Sequence, residues 1–142
     1  MIDVQEISKL NEATVLNTGS PHYILPISDL SNYDVFTEGK NIRYNDTYNQ
    51  KGINVNFVEW NGDELFVRTY ERGVENETFS CGTGVTAAAM AMSNDTTGLQ
   101  ETKIRTLGGS LLIKFNKLDA QHYTDVWLCG PASFVYDGQI TI

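Results

Sequence analysis

The sequence predicts an α+β fold in which a mostly antiparallel sheet wraps around one buried helix. Three observations carry this. Short alternating or apolar runs bounded by Gly, Asn and Pro recur along most of the 142 residues, the pattern of strands joined by tight turns. Asn61-Gly62 and Gly108-Gly109 sit directly between such runs and read as hairpin turns. The strongest helix signal, "GVTAAAMAMSN", is rich in Ala and Met and has almost no charged face, so protein must enclose it.

Taken in order, "EATVLNT" and "HYILPI" flank a turn at Gly19 to Pro21. "SNYDVFTEGKNIRYN" is a second helix, interrupted at Gly39, a residue that weakens helix interiors. "INVNFVEW" alternates apolar and polar residues and turns at Asn61-Gly62 into "LFVRTY". After the Ala-rich helix, "TKIRTL" and "SLLIKF" form the hairpin about Gly108-Gly109. "DVWLCG" and "SFVYDGQITI" are expected to close the sheet, the latter turned at Asp137-Gly138. No linker, repeat or low-complexity segment divides the chain, so residues 1–142 read as one domain.

Composition narrows the function. Hydrophobic residues make up 41 %, an ordinary globular share, and no apolar run is long enough to span a bilayer. The formal net charge of −8, with few and scattered basic residues, gives no cationic footprint for nucleic acid or anionic lipid. The acidic start "MIDVQEISKL" lacks the regions of a signal peptide, and a cytoplasmic location is expected. Two cysteines without a CxxC or His-rich cluster predict separate reduced thiols and no metal site. Cys129 ends an apolar strand at Gly130-Pro131 and is expected to be buried and structural.

Chemistry concentrates in "ERGVENETFSCGTGVTAAAMAM", from Glu71 to Met92. Cys81 stands at the mouth of the Ala-rich helix, where unpaired amides and a partial positive charge favour a thiolate. Gly82 and Gly84 allow close backbone approach, the amides can bind a carboxylate, and Thr83 adds a hydroxyl. Upstream, Arg72 can grip a carboxylate and Glu71 can pair with an ammonium, so the two together suit an amino acid. Each feature also has an ordinary reading. A single Cys beside a flexible turn is commonly a small core residue, and an adjacent Glu-Arg at a strand end is commonly a solvated pair. From the residues alone both readings stand.

"YERGVENETFSCGTGVTAAAMA" resembles the second catalytic-cysteine motif of the diaminopimelate epimerases. "NTGSPHYI" is similar to that family's Gly-Asn-Pro-His segment, "GINVNFVEW" to its Asn-containing strand and "GPASFVYDGQI" to its closing strand, all in family order. The resemblance implies a barrel-like sheet around a central helix, and inversion of one α-carbon of diaminopimelate by two cysteines without pyridoxal phosphate, metal or other cofactor. Carried over by position, Cys81 is one acid–base cysteine, and His22 and Glu71 are placed to influence its ionisation. Ser20, Asn54, Glu71, Arg72, Gly82 and Thr83 fall at substrate-binding positions. Without the resemblance, His22 and Asn54 read as loop-bracing and strand-edge residues.

Two local departures stand out. Ser20 occupies a position where the family usually has Asn, and the loop from Gly73 to Ser80 is one residue longer than its commonest pattern. A larger departure is that only the family's C-terminal half is matched. The resemblance therefore implies a missing N-terminal catalytic domain carrying the second cysteine, a homodimer as one arrangement of the full-length enzyme, and inactivity of this chain alone. Two other functions fit the helix mouth: a proline or hydroxyproline racemase-type isomerase of the same fold, and a non-catalytic carboxylate-binding module. The Glu71-Arg72 motif and the "INVNF" strand favour the epimerase over the racemase.

Overall fold

The computed structural model describes residues 1–141. Among the described residues nine strands form one sheet: β1 (Ile7–Leu10), β2 (Ala13–Asn17), β3 (Pro21–Pro26), β4 (Asn54–Asn61), β5 (Glu64–Glu71), β6 (Asn76–Thr78), β7 (Gly98–Thr106), β8 (Gly109–Lys117) and β9 (Tyr123–Cys129). Their order is β1-β2-β3-β4-β5-β7-β8-β9, with β6 branching from β5. Most neighbours are antiparallel, as expected, but β3 runs parallel to β4 and β5 parallel to β7. Both parallel pairs are joined by crossovers that contain the helices α1 (Val35–Arg43) and α2 (Gly82–Ala91), as parallel pairing requires. The two ends of the sheet meet where Val4 and Tyr123 exchange backbone hydrogen bonds of 3.0 and 2.9 Å. This bridge gives the sheet its barrel-like curl.

The helices lie on opposite faces of the sheet. From Gly84 to Met90 every residue of α2 is buried, packed with Leu16, Ile24, Val58, Val67, Ile104, Ile113 and Phe115 in the inner core. Small side chains let the strands close around it. Against the other face, α1 and the turn at Leu30–Asn32 cover Val55, Phe57, Phe66 and Tyr70. Asp34 caps α1 by accepting a hydrogen bond from the Thr37 amide at 3.1 Å. The middle of β4 is consequently buried on both faces, and its polar residues Asn54 and Asn56 point into the core with the α2 side.

Four expectations need correction. Gly39 does not interrupt α1; it lies inside the helix, and a Cβ there would collide with the Tyr70 side chain. Its absence of a side chain is what lets α1 approach the sheet. The segment Ser133–Thr141 forms no strand, because no neighbouring strand pairs with it, and Phe134, Val135, Tyr136 and Ile140 are exposed. The remainder of that predicted strand, Ile142, lies outside the described residues. Cys129 is half-buried rather than buried, since β9 is an edge strand whose end is left uncovered. The Asn61-Gly62 hairpin is shifted by one residue: Asn61 pairs with Glu64, so the loop is Gly62-Asp63, with Gly62 at φ 65°.

Candidate active site

Cys81 is the N-cap of α2, with extended backbone (φ −127°, ψ 110°) and a carbonyl that accepts the first intrahelical hydrogen bond, from Val85 at 2.9 Å. Its side chain caps none of the first-turn amides, so those of Gly82, Thr83 and Gly84 face the helix mouth without an intrahelical acceptor. The thiol is 8 % exposed, and its polar neighbour is the Thr83 hydroxyl at 3.5 Å. Thr86 turns back to donate to the Gly82 carbonyl at 2.9 Å, fixing the first turn.

The β2–β3 turn lies against this mouth. Thr18 donates to the Thr83 carbonyl at 2.8 Å, and a Cβ on Gly19, at φ 109°, would stand 3.9 Å from the Thr83 methyl. The next residues, Ser20 and Pro21, are tied to β4 through Asn54. Its Nδ2 donates to Ser20 Oγ at 2.6 Å and to the Pro21 carbonyl at 3.2 Å. Its Oδ1 accepts from the Arg72 amide at 2.9 Å. Asn54 thus straps the turn before His22 to the end of β5, and the Ser20 hydroxyl, accepting from it, keeps its own proton to donate.

Arg72 is exposed, and its guanidinium donates to the Lys51 carbonyl at 3.1 Å. Its stem packs on Gly52, where a Cβ would come within 2.5 Å of Arg72 Cδ and 2.9 Å of Arg43 Cζ. Arg43 in turn pairs with Glu75 at 3.2 Å. Burial works against the Glu75 charge, but the Gly73 amide, the Tyr44 hydroxyl, Arg43 and the Tyr70 hydroxyl together hold its carboxyl below the usual range. The turn after Glu71-Arg72 is therefore braced from beneath. Glu71 accepts from the Thr78 hydroxyl at 2.9 Å, three residues before Cys81.

His22 is fully buried on β3, opposite Asn54, and its ring Nδ1 lies 3.1 Å from Asn56 Nδ2, an amide nitrogen that can only donate. Burial, with a smaller contribution from the positive charge of Arg72, lowers its pKa from 6.5 to about 4. The ring is neutral at physiological pH.

The predicted residues thus converge. Ser20, Asn54 and Arg72 share hydrogen bonds, the Gly19 turn touches Thr83, and Arg72 lies close enough to His22 to act on it electrostatically. Neither His22 nor Glu71 is hydrogen-bonded to the thiol among the described residues. A cleft of about 200 Å³ adjoins the mouth through Ser80 and is lined by Thr106, Gly108, Gly109, Ser110, Leu111 and Pro131, none of them a predicted site residue. Sequence reasoning missed Asn56. The signal was present in "NVN", two asparagines two apart on a strand and so on one face.

A curled mixed sheet around a buried small-residue helix is a fold class that solved structures share. It matches a predicted epimerase from Pseudomonas aeruginosa (TM-score 0.57, 10 % identity, 86 % of this chain and 41 % of that one). It also matches a probable proline racemase from Agrobacterium radiobacter (TM-score 0.51, 9 % identity, 85 % and 39 %). Within that class the sequence is specific: residues 14–135 match the diaminopimelate epimerase family model, and the chain belongs to that family. It is 45 % identical over 142 residues to the diaminopimelate epimerase of Flavobacterium psychrophilum, covering 99 % of this chain and 55 % of the relative. With that of Chlorobaculum tepidum it shares 43 % identity over 131 residues, covering 89 % and 49 %. The chain spans about half the length of these relatives.

Proposed function

We propose that this chain is the C-terminal half of a cytoplasmic diaminopimelate epimerase and supplies one of two cysteines that interconvert LL- and meso-diaminopimelate in lysine and peptidoglycan precursor synthesis. The observation that carries it is the placement of Cys81 at an uncapped helix mouth within a family match that spans most of the chain. In one direction the Cys81 thiolate removes the α-proton and becomes a thiol. A thiol from the missing half delivers its own proton to the opposite face and becomes the thiolate. The α-carbon is inverted, and the enzyme is left in the protonation state that runs the reverse reaction. The amides of Gly82 and Thr83 receive the reacting carboxylate, whose negative charge they stabilise as the α-carbon loses its proton. Arg72, Glu71 and the Ser20 hydroxyl hold the remaining charged and polar groups, with Asn54 fixing their spacing.

An apolar rim supports a covering half. Phe79 is 76 % exposed and Leu107 50 %, and the Phe79 carbonyl accepts from the amide of Gly108, next to Leu107, at 2.8 Å. Leu128 reaches to within 3.0 Å of where a Gly82 Cβ would be. Covering this rim would exclude water from the mouth and strengthen its electrostatics. The test is to exchange this chain for the matching half of the Flavobacterium psychrophilum relative and follow α-proton exchange in D₂O with each isomer. Epimerisation that disappears in Cys81→Ala is expected. Exchange that survives Cys81→Ala would overturn the assignment.

A further inference from the structure

We propose that Asn56 is a positioning residue that locks the His22 ring with its proton on Nε2, keeping that N–H for an acceptor brought by the ligand. Both side chains are completely buried, on neighbouring strands. The orientation of the Asn56 amide is set without reference to the ring. Its Nδ2 lies 3.3 Å from the Tyr23 carbonyl, which can only accept, and its Oδ1 takes the Thr69 hydroxyl proton at 2.9 Å. The second Nδ2 hydrogen points along the 3.1 Å contact to His22 Nδ1. Nδ1 must then accept, and in a neutral ring the proton sits on Nε2.

That Nε2 has no hydrogen-bond partner, one of two such buried side-chain atoms among the described residues. A buried N–H without an acceptor is costly, and its retention calls for an explanation outside the folded chain itself. The location offers one. A Cβ on Gly84 would collide with Asn56 Oδ1 and stand 3.3 Å from Cys81 Sγ, so Asn56, which holds the His22 ring, abuts the first turn of α2 at the thiol. A carboxylate held at the helix mouth is the kind of acceptor the orphan N–H lacks.

The ligand's part in this rests on the epimerase reading, but the proton's location does not, so the two fail separately. Ring nitrogen spectra of the ¹⁵N-labelled chain, with His122→Gln assigning the second histidine, should show His22 protonated at Nε2. They should also show a scalar coupling between Asn56 Nδ2 and His22 Nδ1 across the hydrogen bond. In Asn56→Asp a carboxylate faces Nδ1, so the proton should move to Nδ1 and the coupling should vanish. A wild-type ring protonated at Nδ1, or an Asn56→Asp ring unchanged from wild type, would overturn the proposal. If Asn56→Asp does not fold, the wild-type protonation site and coupling decide it alone. A tautomer found as expected in a protein whose chimera does not epimerise would leave Asn56's role standing and remove only its ligand.

Discussion

His22 titrates far from its usual range, and the consequence is measurable in stability. Its pKa is 6.5 unfolded and about 4 folded. Between those values the unfolded chain binds more protons, so stability is fully present above pH 6.5 and is lost as pH falls toward 4. A shift of this size corresponds to about 3 kcal/mol. Denaturant unfolding of wild type and His22→Asn at pH 7 and pH 4 should show the wild type losing more, the difference isolating His22 from carboxylates common to both. Equal losses would mean the buried ring is already protonated or not buried in solution. At the same scale, Arg72→Ala in the two-half enzyme should raise KM by a factor matching about 1.5–3 kcal/mol, the worth of a charge-assisted contact. Glu71→Gln should lower kcat, and unchanged kinetics in both would leave the pair as a surface feature. Cys81, Glu71 and Arg72 stand out in the sequence as candidates, but their residue types alone also fit a small core cysteine and a solvated pair, and the resemblance is what singles them out. Asn56 was not, because alternation in "INVNF" suggests a polar face turned to water. The sheet is covered on both sides, by α2 within and α1 without, and the polar face is the one that looks inward.

Among the elements, those with local signals were readable and those fixed by distant partners were not. The hairpins about Gly62 and Gly109 declare themselves through residues that tolerate positive φ, 65° and 133°. β6 is three residues long and exists because Glu71 pairs with Asn76 and Thr69 with Thr78 across the turn at Gly73. The parallel pairings depend on which strands the two helices bring back together, information held in no short stretch of sequence. The predicted final strand had the right alternation but no neighbour to complete its backbone hydrogen bonds. Gly39 shows propensity and packing in direct conflict. On helix propensity alone Gly39→Ala would stabilise by about 1 kcal/mol. Because the added methyl collides with Tyr70 Cβ, packing should win, and we expect a net loss of about 1–3 kcal/mol. A melting temperature raised by Gly39→Ala would show that α1 can retreat from the sheet at little cost.

For the molecule as a whole, the expectation is a chain that folds alone and does not epimerise. Folding follows from two continuous cores on either side of one sheet and from the Val4–Tyr123 bridge that joins the sheet's ends. Inactivity follows from the chemistry of inversion. One thiolate on one face can remove an α-proton and return it with retention, and even that is disfavoured at an open mouth. There the carboxylate and ammonium of the substrate stay hydrated and the field of α2 is weakened by solvent. Circular dichroism and cooperative unfolding should report a native domain. The same sample in D₂O should leave LL- and meso-diaminopimelate unconverted over times in which the chimera reaches equilibrium. Interconversion by the pure chain would require a second proton donor within these residues. Cys129, half-buried at the uncovered end of β9 beside Leu128, which itself reaches Gly82, would then be the residue to replace first.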